Sequence, residues 1–132
     1  MALLLVALLF LGGCASTGGG LGGPTTAPGP GRTEKAVELG EASYYASEFN
    51  GRRMANGEIY DESKLTAAHR TLSFGTRVRV TNLSNGRSVV VTIKDRGPVP
   101  RSRIIDLSER AARDLGFLRE GITRVRVEVV SL

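Results

Sequence analysis

The chain has one cysteine, one histidine and no tryptophan in 132 residues, and none of its 18 basic or 13 acidic side chains precedes Arg32. Each scarcity excludes something. A single cysteine cannot build a disulfide framework or a cysteine-rich zinc module. A single histidine argues against a histidine-based metal centre. No phosphate-binding loop, dinucleotide fingerprint or Gly-x-Ser-x-Gly elbow is present, so nucleotide chemistry and an α/β-hydrolase triad are excluded. The charge-free opening cannot fold as a soluble core, which leaves about a hundred residues for one domain.

The opening segment reads as an address. Leu3 to Leu11 is an unbroken apolar run. It is about half the length needed to cross a hydrocarbon layer as a helix and has the size of a signal-peptide core. Leu11-Gly12-Gly13-Cys14 follows it and resembles the lipobox of bacterial lipoproteins. That resemblance implies that residues 1–13 are a signal peptide and that Cys14 is lipidated as the new N-terminus. Ala15 and Ser16 next to it imply an outer-membrane destination facing the periplasm in a diderm cell, and otherwise the cell membrane. Residues 14–39 then form a linker. Ser16 to Gly31 is almost entirely Gly, Pro, Thr and Ser, a disordered tether with a root-mean-square reach of roughly 20 to 25 Å.

From Gly40 the pattern has a period of two. Arg77-Val78-Arg79-Val80-Thr81 and Arg124-Val125-Arg126-Val127-Glu128-Val129 alternate apolar with charged or polar residues, as half-buried strands do. Asn85-Gly86 predicts a tight type I′ hairpin turn, and Ser88 to Ile93 is β-branched on both faces, which predicts burial on both. Ser108 to Leu115 predicts a short helix: Ser108 caps it, Glu109 favours its first turn, Ala111, Ala112 and Leu115 share a face, and Gly116 stops it. Short strands with one helix predict a small closed barrel over residues 40–132. The expected core is Val78, Val80, Val89, Val91, Ile93, Ile104, Leu115, Val125, Val127 and Val129.

Some polar residues are not needed by that pattern. Asp95 ends the most apolar strand and is followed by Gly97-Pro98, so it is either a turn cap or a carboxyl placed for general acid work. Asp106, two residues before the helix, is either a capping residue or a second acid in the same cleft. Glu58 lies in the turn-rich Asn56-Gly57-Glu58, where a solvated carboxylate is the ordinary reading. His69 is either a structural residue or a hydrogen-bonding partner for these acids.

Taken in order, Gly40-Glu41-Ala42-Ser43-Tyr44-Tyr45, Asn56-Gly57-Glu58, Leu65-Thr66-Ala67-Ala68-His69-Arg70-Thr71-Leu72, Asn85-Gly86-Arg87, Asp95-Arg96-Gly97-Pro98 and Arg103-Ile104-Ile105-Asp106-Leu107-Ser108 resemble the rare lipoprotein A family. The resemblance runs from about Gly40 to Leu132. It implies a mainly β fold, a six-stranded double-psi β-barrel with one or two short helices. It also implies an endolytic peptidoglycan lytic transglycosylase that cleaves between N-acetylmuramic acid and N-acetylglucosamine, leaves 1,6-anhydro ends and favours glycan strands without stem peptides. The alternative is a non-catalytic, expansin-like barrel that binds glycan and loosens the wall.

Carried over residue by residue, the resemblance makes Asp95, Glu58 and His69 catalytic candidates, with Asp106 a further one. Tyr44, Tyr45 and Arg96 become candidates for contact with the sugars. Tyr44-Tyr45-Ala46-Ser47 stands where the family has Ser-Trp-Tyr-Gly, which shrinks the aromatic platform, and Lys94 replaces the common Asn. The mechanism it implies requires no cofactor and no metal. The expected partners are peptidoglycan strands, the membrane through the lipid, and division-site proteins, although no peptidoglycan-binding repeat follows the last strand. The net charge of +5 is spread singly along strands without stacking aromatics, which excludes a nucleic-acid partner.

Overall fold

The computed structural model describes residues 36–132, so the expected signal peptide, Cys14 and most of the expected linker lie outside the described residues. Six strands, β1 (Val37–Tyr44), β2 (Thr66–His69), β3 (Arg77–Asn82), β4 (Ser88–Asp95), β5 (Arg103–Leu107) and β6 (Thr123–Ser131), close into a barrel in the order β1-β5-β2-β4-β3-β6. The pairs β1/β5 and β2/β4 are parallel and the other four antiparallel. This is the six-stranded double-psi barrel, and closure leaves no open sheet edge. Among the described residues one α-helix, α1 (Glu109–Leu115), and one 3-10 turn at Ser47–Phe49 accompany it. β1 starts three residues ahead of Gly40. Val37 and Leu39 are exposed, so the strand's first half carries no inward apolar signal.

The alternation of β3 and β6 is realised as written: Val78, Val80, Val125 and Val127 are buried while Arg77, Arg79, Arg124 and Arg126 face solvent. The core also takes Ile93, Ile105, Leu107, Leu115 and Phe117, each worth about 1.5–3 kcal/mol over leaving it exposed. Val89, Ile104 and Val129 are only partly buried at its margin. In Arg103-Ile104-Ile105-Asp106-Leu107 the inward set is Ile105 and Leu107, because β5 pairs Leu107 with Ala67 and Ile105 with His69. Two adjacent isoleucines leave that register open in the sequence. The outer residues of β4, Val90 and Thr92, are half-buried rather than enclosed.

Helix α1 forms as its sequence prescribes. Ser108 Oγ accepts from Ala111 N at 3.3 Å, and Gly116 closes the helix in the left-handed region at φ 76°. The hairpin between β3 and β4 departs from the expected turn. A type I′ turn needs positive φ at both central residues, yet Gly86 alone has it, at φ 78°. The connection is a longer loop, closed by Asn82 N donating to Arg87 O at 2.8 Å and by Asn82 Oδ1 accepting from Ser84 N at 2.9 Å. Buried Asn82 prefers this loop because its amide also donates to Leu115 O at 2.9 Å, tying the hairpin to the end of α1.

Candidate active site

The site is built on β2, the strand diametrically opposite β6 in the ring. Ala68 is in register with Asp95 of β4 on one side and Asp106 of β5 on the other. Two carboxylates therefore flank a methyl group, two strand spacings apart, or about 10 Å between backbones. A one-residue irregularity between Ala67 and Ala68 opens this register. It brings Asp95 level with Ala68 at the mouth of the barrel.

Asp95 is held by three donors. Its Oδ1 accepts from Ala55 N at 2.9 Å and from Arg96 N at 2.8 Å, and its Oδ2 accepts from Tyr45 Oη at 2.6 Å. The Tyr45 ring is fixed between Phe49 and Tyr60, with centroids 5.8 and 4.8 Å away. Burial, reinforced by the hydrogen bond to Asp95, pushes the Tyr45 phenol far above its usual range, so it stays protonated and donates. Asp106 accepts from Ser43 Oγ at 2.5 Å, its register partner on β1, and its Oδ1 lies 3.5 Å from Arg103 Nε.

Glu58 is brought to the neighbouring cleft, lined also by Met54, Asp61, Lys64, Thr66 and Lys94. The loop that carries it is hung on the end of β4: Asn56 N donates to Lys94 O at 3.2 Å beside the Ala55 bond to Asp95. Lys94 Nζ meets Glu58 Oε2 at 2.6 Å, and Asn56 Nδ2 donates to the same oxygen at 3.1 Å. The Lys94 contact, then that of Asn56, holds the exposed Glu58 carboxyl below its usual range. Glu58 and Asp95 thus share one loop but have separate partners.

Three of the expected side chains point elsewhere. His69 Nε2 meets Glu38 Oε2 at 2.8 Å, and its Nδ1 accepts from Thr71 N and Leu72 N at 3.2 and 3.1 Å. Both ring nitrogens are occupied, and no hydrogen bond runs from the ring to Asp95 or Glu58. The expectation of a direct bond to the acids is corrected, because His69 is one step along β2 from Ala68 and projects to the other face. Tyr44 is likewise turned away from the site: its hydroxyl donates to Leu118 O at 2.8 Å and its ring packs edge-on against Phe117 at 5.8 Å. Arg96 spends its guanidinium on His69 O and Leu72 O, at 3.1 and 2.6 Å, and stacks over Phe74 at 4.1 Å. It fastens the loop after Asp95 to the end of β2.

Sequence reasoning missed Ser43, Ala55, Ala68 and Arg70. Arg70 clips residues 98–103 by donating to Pro98 O at 2.9 Å and to Pro100 O and Arg103 O at 2.5 Å. Nothing local marks any of these residues. Their partners lie between 27 positions away, for Ala68 and Asp95, and 63 away, for Ser43 and Asp106. Among the described residues no three His, Cys, Asp or Glu side chains gather as a metal-ligating group, and no helix is long and apolar enough to cross a membrane.

Residues 37–127, the barrel with its flanking carboxylates, match the family model described as lytic transglycolase. The chain belongs to this family. Over 98 residues it is 55% identical to the probable endolytic peptidoglycan transglycosylase RlpA of Synechocystis, a match covering 74% of this chain and 30% of that protein. Over 93 residues it is 53% identical to the endolytic peptidoglycan transglycosylase RlpA of Pasteurella multocida, covering 70% and 32%. The match thus spans about a third of the length of these relatives. Among solved structures the barrel resembles the Streptomyces papain inhibitor, with TM-score 0.60 and 25% identity over 72% of this chain and 94% of that one. It shares its fold with the apo expansin of Clavibacter michiganensis, with TM-score 0.58 and 24% identity over 72% and 50%. Glu58, His69, Asp95 and Asp106 all lie inside the matched range.

Proposed function

We propose that this barrel is an endolytic lytic transglycosylase acting on peptidoglycan glycan strands, those without stem peptides above all. The observation that carries the reading is the pair of carboxylates, Asp95 and Asp106, on either side of Ala68. A glycan strand crossing β2 lies between them. In this mechanism Asp95 gives its proton to the glycosidic oxygen as the bond from C1 breaks. The C6 hydroxyl of the muramic sugar then attacks C1, and its proton returns to Asp95. One proton leaves and one comes back, and water takes no part. Two carboxylates with separate tasks are the general pattern of glycosidic cleavage. Glu58, kept ionised by Lys94, faces the positive charge that develops on the sugar ring, with Asp106 as a second anion. His69 acts through the fold, ordering the turn at residues 71–72 that Arg96 grips.

The chain works in the cell envelope in this reading, carried on a lipid at Cys14 and reaching the wall through its tether, with division-site proteins as further partners. The names of the relatives, which designate peptidoglycan transglycosylases, support the substrate class. The test is digestion of purified sacculi, with and without stem peptides, followed by mass spectrometry. Anhydro-muramyl ends, more abundant from stripped strands, are expected. Binding without such ends overturns the enzyme reading and leaves an expansin-like binder.

A further inference from the structure

Tyr45 lies in the aromatic segment expected to offer a face to sugars, yet its geometry suits another task. The carboxylate of Asp95 has two oxygens, each with two lone pairs in its plane. Ala55 N and Arg96 N, at 2.9 and 2.8 Å, occupy both on Oδ1. Tyr45 Oη, at 2.6 Å, occupies one on Oδ2. A single lone pair, on Oδ2, stays open to carry a proton.

We infer that Tyr45 is a positioning residue that selects this one lone pair of Asp95 and stabilises the carboxylate formed when its proton leaves. The inference rests on the reading of Asp95 as the acid and base of glycan cleavage, and deepens it. With one proton site, the proton that goes to the glycosidic oxygen and the one recovered from the C6 hydroxyl use the same lone pair. The carboxyl needs no rotation between the two halves of the reaction. The phenol bond is charge-assisted only after the proton has gone, so it strengthens as the reaction proceeds and acts on turnover rather than binding. The ring is suited to hold this position because Phe49 and Tyr60 pack on it and Tyr60 is itself anchored by Glu109 N, which donates to its hydroxyl at 3.1 Å. The ring itself is half-buried.

The two roles separate in Tyr45→Phe, which keeps the ring and removes the hydroxyl. With the full chain and stem-peptide-free glycan strands, Tyr45→Phe is expected to lower kcat about 10- to 100-fold per folded molecule and leave KM unchanged, with the folded fraction read by circular dichroism. In an Asp95→Asn background the same change is expected to cause no further loss. A sugar platform would give the opposite pattern: Tyr45→Phe near wild type, and Tyr45→Leu raised in KM alone. That result, or an independent loss in the Asp95→Asn background, overturns the inference. A wild-type chain that releases no anhydro ends overturns instead the catalytic reading beneath it, so the two failures are distinguishable.

Discussion

Asp95 and Asp106 are in register with Ala68 from its two opposite sides, held by different means: Asp95 by two backbone amides and a phenol, Asp106 by a serine hydroxyl and, more distantly, an arginine. The first set fixes both oxygens of its carboxylate. The second set engages Oδ1 alone. In the proposed mechanism this asymmetry assigns the two acids unequal tasks.

Asp95→Asn is therefore expected to cut the release of anhydro ends by about 100- to 10,000-fold, the usual scale for losing a general acid and base. Asp106→Asn, which keeps the shape and an acceptor for Ser43, is expected to cost less than Asp95→Asn. Product yields from stripped sacculi, with circular dichroism to verify folding, check both. An Asp95→Asn chain as active as wild type removes Asp95 from the mechanism.

The ion pair between Lys94 and Glu58 has a titration consequence. The folded state holds Glu58 below its ordinary value of 4.5, so the pair's contribution to stability is present above about pH 4.5 and is lost as pH falls through the lowered folded value. Both groups are at the surface, which keeps that contribution small. Lys94→Ala is expected to move the Glu58 midpoint back up toward its ordinary value, as read by carboxyl carbon chemical shifts. An unmoved midpoint would show that Lys94 does not set it.

Asn82 is a structural joint. Its side chain accepts from Ser84 N and Thr123 Oγ1, at 2.9 and 2.8 Å, and donates to Leu115 O at 2.9 Å. Asn82→Ala leaves buried polar partners unmet and is expected to cost about 2–4 kcal/mol. Urea unfolding measures this, and activity per folded molecule is expected to be unchanged.

Gly40 is required by space. A Cβ there would stand 2.6 Å from Ile104 Cγ2. Gly40→Val is expected to destabilise the barrel by about 1–3 kcal/mol through overpacking, and Ile104→Ala in the same chain is expected to restore part of it. Thermal unfolding of the single and double variants checks the coupling.

Cys14 lies outside the described residues, and its role is tested in cells. Cys14→Ser is expected to leave unprocessed or unlipidated protein that no longer fractionates with membranes. Normal membrane retention and processing would contradict the anchor.

Much of the barrel was legible because period-two alternation is a local property: Arg77-Val78-Arg79-Val80 and Arg124-Val125-Arg126-Val127 can bury valine only one way, and Ser108 with Gly116 marks both ends of the helix. The turn at Asn85-Gly86 was misjudged because Asn82, through contacts with Ser84, Leu115 and Thr123, fixes a longer loop than the dipeptide alone prefers. The inward choice of Ile105 over Ile104 needed the pairing of β5 with β2.

By its own order of residues the sequence determined a charge-free opening segment with one cysteine, a β-rich domain behind it, and the acids at positions 58, 95 and 106. Only the closed barrel decided what those groups meet. It set Asp95 against the hydroxyl of Tyr45, 50 positions away, put Asp106 across Ala68, and gave His69 and Tyr44 partners other than these acids. The reason is geometric. Side-chain direction alternates along each strand, but which strands become neighbours, and in which register, is settled by packing across the whole ring.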